Sequence, residues 1–435
     1  MTFIKAIIAR YIGYYKNSIV LQRFAKVFSL DVLVRASNLF LIPVYLLLMP
    51  QNEYGLFGYF LSIIGLGSTV LNFGLYISQA KLYHDYDAEE KKSLVFTINA
   101  MLAVFLVIVL VPAYIFHFDA ALIKLLFSHP INYYSYRNGL YLATLVTVCS
   151  FMLYNFLMTS ENIRKFQYYN LVKLVLVNSV VIYMMWKLKK DTVMIRLNYS
   201  YIIEFFIFAG FSYLYFKNMK PRFNFAYAKK ALIIGVPAMF SSLVGVVYNF
   251  NDKMILEKYG SFSDLAIYNT GVTYATIIMI IFSSFQNVFL PLFFKEKDVA
   301  KNFNKTKKII SKMVMIFICI GIALFVALQI VFMLGIIKAQ YRPVMYILPF
   351  LLLTQIAQAA LQLLSNYIIY FEVVYIGTLF SIVFSGLSIL LNLYFIPRFN
   401  MAGAAYSSLI ISLISFVVYY YFVKYKCKQK LASGL

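Results

Sequence analysis

The chain has 435 residues, 63% of them hydrophobic and only 13% charged. Soluble domains are about 45–50% apolar and about 25% charged, so composition excludes a soluble globular protein. The excess of 39 Lys and Arg over 16 Asp and Glu would point to nucleic acid in a soluble chain; in a membrane protein it marks the loops that stay on the cytoplasmic side.

In chain order, Lys5, Arg10, Lys16, Arg23 and Lys26 interrupt the first apolar residues. That leaves no continuous core for a cleavable signal and predicts a cytoplasmic, interfacial amphipathic segment over 1–26. A membrane span needs about 20 mostly apolar residues. Twelve segments meet this: 27–49, 57–80, 94–116, 139–159, 169–186, 199–216, 231–250, 266–293, 313–334, 345–370, 374–395 and 401–423. The stretch "ALIKLLF" at 121–127 is too short to span and predicts a surface helix on the periplasmic side.

With the N-terminus inside, most Lys and Arg fall in the inner segments, which sets the orientation. One outer loop dissents, "KLKKDTVMIR" at 187–196. Deleting a flanking span to cure this would put the basic stretch 295–312 outside, so twelve spans are retained. The connections 217–230 and 294–312 are the longest inner ones, and both are basic. The first falls after the sixth span. The expected fold is therefore all-α and integral to the membrane. Its parts are an N-terminal six-helix bundle (27–216), a cytoplasmic linker (217–230), a C-terminal six-helix bundle (231–423) and a cytoplasmic basic tail (424–435).

Charges inside spans are costly and are functional candidates by default. The set here is Asp31, Arg35, Lys173 and Glu204. Arg35 has three readings. It faces a cavity, it pairs with Asp31 four residues earlier on the same helical face, or its long side chain reaches the interface. Lys173 lies nearer a cytoplasmic end, where reaching the interface is easier. Glu204, within "YIIEFFIF", is a candidate proton or cation relay, with pairing to Arg196 or Lys173 as the structural alternative. Asp252–Lys253 reads as an interfacial ion pair closing the seventh span at its outer end. Asn72, Asn249, Asn251 and Asn392 are available to sugars or to neighbouring helices. There is no CxxC motif. Cys149, Cys319 and Cys427 and the three histidines are scattered, so neither a disulfide framework nor a metal site is predicted. No nucleophile–base pair or phosphate loop is found, and neither enzymatic activity nor a cofactor is expected.

Three stretches carry a family likeness. "FLIPVYLLLMPQNEYGLFGYFLSIIGLG" runs an apolar helix into Pro, an acidic turn and Tyr-Gly. "KKALIIGVPAMFSSLVGVVYNFNDKMILEKYGSFSDLAIYNTG" has an early Pro, Asp-Lys and a second acidic turn. "LNLYFIPRFNMAGAAYSSLII" ends in Ile-Pro, a turn and Gly-Ala-Ala. In order and spacing these resemble the polysaccharide-exporter branch of the multidrug/oligosaccharidyl-lipid/polysaccharide flippase superfamily, which includes the Wzx-type O-antigen flippases. The turn Asn400-Met401-Ala402-Gly403 departs from the family's usual Gly or basic-Gly turn. The resemblance implies two six-helix bundles around a central cavity and alternating access. It also implies an oligosaccharide on undecaprenyl pyrophosphate as the substrate, moved from the inner to the outer leaflet of the bacterial inner membrane.

A diphosphate calls for cations, and the planar fork of Arg suits phosphate oxygens. Arg35 and Lys173 are thus the expected substrate-binding residues, with Asp31 and Glu204 as coupling or paired charges. A proton or sodium ion is the candidate coupling ion, and a polymerase of the same pathway is a candidate partner. The alternative within the superfamily is a cation-coupled multidrug exporter, which would want an acidic cavity; the intramembrane set is balanced instead. An oligosaccharide polymerase or glycosyltransferase is the third reading. It is disfavoured because the longest outer loop, about 117–138, is short.

Overall fold

The structure is a computed structural model that describes residue 37 and residues 39–217 and 219–432. The expected amphipathic segment 1–26, and Asp31 and Arg35, lie outside the described residues. In chain order the helices are α1 (Leu39–Leu48), α2 (Gln51–Leu71), α3 (Leu75–Leu82), α4 (Ala88–Ile115), α5 (Phe118–Leu126), α6 (Tyr133–Thr159), α7 (Ile163–Leu188) and α8 (Thr192–Phe216). They are followed by α9 (Phe225–Tyr259), α10 (Phe262–Ala275), α11 (Ile277–Lys295), α12 (Val299–Met333), α13 (Val344–Tyr370) and α14 (Val374–Ala432). No strand occurs among the described residues.

Ten helical segments are long and apolar enough to cross a membrane. The twelve expected segments map onto the helices unevenly. The first is represented by the short α1. The last two share α14, which bends at Asn400 (φ 48°, ψ −128°). That bend is the "RFNMAG" turn, and asparagine is among the few side chains that tolerate positive φ.

Helix starts follow their caps rather than the first apolar residue. Asn224 accepts a hydrogen bond from Ala226 N at 2.9 Å and so begins α9 at Phe225, six residues before the expected span. Asp298 accepts from Lys301 N at 2.9 Å and begins α12 at Val299. Hence 294–312 is not a long connection, as expected from its charge. It is the end of α11, a short link and the first turns of α12. Capping by a side-chain oxygen satisfies amides that hydropathy cannot register. At α10, Ser261 and Asp264 form a reciprocal capping box.

The two halves meet along a short list of helices. The α2 helix packs on α10 and α9, and α3 packs on α9. Within the C-terminal half α13 packs on α14 and α12. One continuous apolar core runs through both halves, from Leu46 and Phe60 to Tyr268, Leu348 and Ala404.

Candidate functional site: a cavity between the halves

The α2 and α9 helices run antiparallel, and each turns a stripe of small or polar residues toward the other. On α2 the stripe is Ser62, Gly65, Thr69 and Asn72; on α9 it is Ser242, Gly245, Asn249 and Lys253. The spacings of three and four put each set on one helical face. Thr147 and Phe151 of α6 complete a cavity of 580 Å³. A side chain at Gly65 or Gly245 would meet nothing within 4 Å, so these glycines open space rather than close a contact.

Backbone contacts close both ends. At one end, a Cβ on Gly55 of α2 would sit 1.8 Å from the carbonyl oxygen of Phe262 in α10. Beside it Tyr59 stacks on Phe250, centroids 5.5 Å apart, and donates to the Leu126 carbonyl at 2.6 Å. At the other end Gly74, with φ +65°, lies against Gly235 of α9, where a Cβ would be 2.0 Å from the carbonyl oxygen. Ser78 Oγ donates there to the Ala231 carbonyl at 2.6 Å.

The cavity wall is mildly polar and carries one charge. Among its described lining residues Lys253 is the only ionisable group apart from Tyr76. Its Nζ donates to Ser62 Oγ at 2.9 Å, and no carboxylate of the described residues lies within ion-pair distance. Asn72 is 1% exposed, and its Nδ2 has no hydrogen-bond partner. The site thus presents an ammonium with hydroxyls around it, and a buried amide donor without a partner in its wall. Such a set recognises an anion or a polyhydroxylated group.

The expected residues fall elsewhere. Lys173 (α7) and Glu204 (α8) form an ion pair at 2.5 Å, with the Lys173 side chain 40% exposed and that of Glu204 buried. Neither lines the cavity. Arg196 does not pair with Glu204. Its guanidinium lies 3.7 Å from the ring centre of Tyr45 and 4.1 Å from that of Phe57. Asp252 and Lys253 do not form the expected interfacial pair. Because α9 continues to Tyr259, both lie inside the helix. Asp252 accepts from Tyr268 at 2.5 Å, while Lys253 turns to Ser62. Asn72 and Asn249 line the cavity; Asn251 and Asn392 bond each other at 2.5 Å.

Lys253 is the residue that sequence reasoning missed. Its signal was the stripe Ser242, Gly245, Asn249, Lys253 on one face, overshadowed by the adjacent Asp252. Outside the apolar helices, Asp119 of α5 accepts from Arg137 Nε at 2.6 Å and from Tyr133 at 2.5 Å. Burial raises the Asp119 carboxyl, but these two donors outweigh it and hold the group below the usual carboxylate range. No group of His, Cys, Asp and Glu among the described residues could hold a metal ion.

Comparison with known proteins agrees with this architecture. The lipid II flippase MurJ in an inward closed conformation is 17% identical, with a TM-score of 0.72 over 91% of this chain and 87% of that one. An inward-facing multidrug resistance MATE family transporter of the MOP superfamily is 13% identical, with a TM-score of 0.61 over 93% of this chain and 100% of that one. Identities this low speak for the fold alone. No curated protein sequence matches the chain. The family model described as polysaccharide biosynthesis protein matches residues 20–297. A chain that is helical throughout its described secondary structure, shares the fold of MurJ and the MATE transporters and fits that model over most of its length is a member of the polysaccharide biosynthesis protein family.

Proposed function

We propose that this protein is a Wzx-type flippase. It carries an oligosaccharide on undecaprenyl pyrophosphate, an O-antigen unit or a similar surface polysaccharide, from the inner to the outer leaflet of the bacterial inner membrane. The observation that carries the reading is Lys253, a cation facing a cavity whose described lining residues include no carboxylate. A diphosphate cannot enter hydrocarbon without a counter-charge. The lone ammonium supplies one, and Asn72 with the wall hydroxyls suits the sugar. The lipid tail stays in the bilayer. Arg35, in the segment before α1, is proposed as a second cation for the diphosphate, with Asp31 as its neighbour. Both termini are proposed to be cytoplasmic, which puts the Gly55–Phe262 end outside. The multidrug alternative is the weaker reading, because a cationic drug would meet Lys253 rather than a carboxylate.

The test is a translocation assay with a fluorescent lipid-diphosphate oligosaccharide in vesicles. Lys253→Ala should lower the rate at least about tenfold, equivalent to one charge-assisted contact of ~1.4 kcal/mol or more, with insertion unchanged. Lys253→Arg should keep most of it. Wild-type transport by Lys253→Ala overturns the assignment.

Glu204 and Lys173 are proposed as the coupling element, because Glu204 is a buried carboxylate within an apolar helix, held by Lys173 of the neighbouring one. In the same vesicles under an imposed pH gradient, Glu204→Gln should abolish the stimulation by the gradient and leave downhill movement. If the gradient still stimulates transport in that variant, the pair is structural.

A further inference from the structure

We propose that Glu257 is a latch that holds the outer end of the cavity shut, by gripping backbone amides of the opposite half. The inference rests on the alternating-access reading above, but its test needs no cargo.

Glu257 lies near the end of α9, in the C-terminal half, and is 1% exposed. Its partners come from the loop between α5 and α6, in the N-terminal half. Ser128 N donates to the two carboxylate oxygens at 3.1 and 2.9 Å. His129 N donates at 2.9 Å, and His129 Nδ1 lies 3.2 Å from the same oxygen. Aromatic rings pack between these groups and the cavity. Phe127 meets Tyr59 edge-on with centroids 4.9 Å apart, and both His129 and Phe127 reach Phe262 at 5.7 and 6.4 Å.

Three features separate this from an ordinary packing contact. A carboxylate out of water is tolerated only when its acceptor capacity is filled. Here both backbone donors belong to the other half, so the grip exists only while the ends are together. Opening must expose Glu257 to water at the moment it loses these donors, which makes the contact reversible. Next, each group facing the carboxylate is a donor: two amides and, as its Nδ1–H tautomer, the imidazole. Gln can keep its single oxygen on the His129 and Ser128 amides, but it loses the charge and turns an NH₂ toward the second Ser128 contact, so it should grip more weakly than Glu. Finally, the loop that supplies the amides is itself braced. Asp119 ties α5 to Arg137 of α6, so the donors arrive as a preset clamp. The inner end carries no buried carboxylate of this kind among the described residues.

The experiment uses the full chain in right-side-out membrane vesicles. Cys149, Cys319 and Cys427 are replaced by Ser, and Gly65→Cys reports from the cavity wall, where the added side chain has open space. A membrane-impermeant thiol reagent is applied from outside and the labelling rate is read. Glu257→Gln should raise the rate about tenfold or more, because a two-state equilibrium shifts by the full differential interaction lost. His129→Ala removes one donor and leaves the carboxylate its backbone partners, so about threefold is expected. Wild-type labelling of both variants overturns the latch. Should Glu257→Gln fail to insert, the His129→Ala rate alone decides: an increase supports the latch and an unchanged rate overturns it. Because no substrate is present, a failure of the Lys253 transport test leaves this outcome untouched, and a failure here leaves the cargo assignment standing.

Discussion

The two ends of the cavity are closed by the same device and finished differently. Each uses a glycine to bring backbone of one half against backbone of the other, Gly55 on Phe262 and Gly74 on Gly235. Beyond the glycine the ends diverge. The outer end continues into buried aromatic rings and the desolvated Glu257. The inner end buries a smaller apolar cluster, in which Leu75, Leu82 and Leu94 pack with Ala228 and Ala231, and its charged contacts are exposed pairs, such as Lys230 with Tyr86 at 2.9 Å and Lys220 with Glu89 at 3.2 Å. Exposed pairs contribute little, because water competes for both partners and salt screens them. Charge-assisted bonds to a buried carboxylate contribute more. On the orientation proposed above, the polar contacts of the inner end should therefore part more easily than those of the outer end.

The sharpest way to break this comparison is Gly55→Ala. Its methyl would lie 1.8 Å from a backbone oxygen, and a backbone carbonyl cannot swing aside as a side chain does. The variant should lose outer closure: transport falls more than about tenfold, while the outside labelling rate at a cavity cysteine rises by a similar factor. Normal transport would mean that the outer contact is adjustable, and the asymmetry between the ends would lose its main support. The smallest effect is expected at the other end. Glu89→Gln removes the carboxylate shared by Lys92 and Lys220, and should change transport less than about twofold at physiological salt. A larger loss would show that the exposed pairs hold the inner end after all.

How much of this could be read from sequence depends on the range of the interaction involved. Helices are local, and the apolar runs revealed nearly all of them, including the surface helix near 121–127, which the structure places at Phe118–Leu126. The exceptions are also local in origin. Asp298 and Asn224 start helices in polar stretches, where hydropathy sees only loop. The Lys173–Glu204 pair was one of two partners considered for Glu204, and the choice needed the packing of α7 on α8. The cavity is a different matter. Its wall exists only because α2 and α9, far apart in sequence, face each other, and periodicity within one helix does not name its partner. Lys253 was hidden for that reason: next to Asp252 it looked neutralised, and only the fold turns the two side chains to different neighbours. Glu257 was passed over altogether, since a glutamate at the end of a span is ordinary until the loop carrying Ser128 and His129 is seen above it.

The size of the cavity has a consequence for the order of events in a transport cycle. Its 580 Å³ falls within the roughly 300–1,000 Å³ of pockets that hold one drug-sized molecule. A diphosphate with several sugars is larger than that. For the cargo proposed above, the arrangement seen here suits an empty carrier better than a loaded one. A cargo-bearing form has to keep one end or one side parted throughout. A structure with a whole oligosaccharide enclosed at this volume would contradict that ordering. On this view the grip at Glu257 sets the pace at which an unloaded molecule becomes ready again, rather than the pace at which sugar crosses.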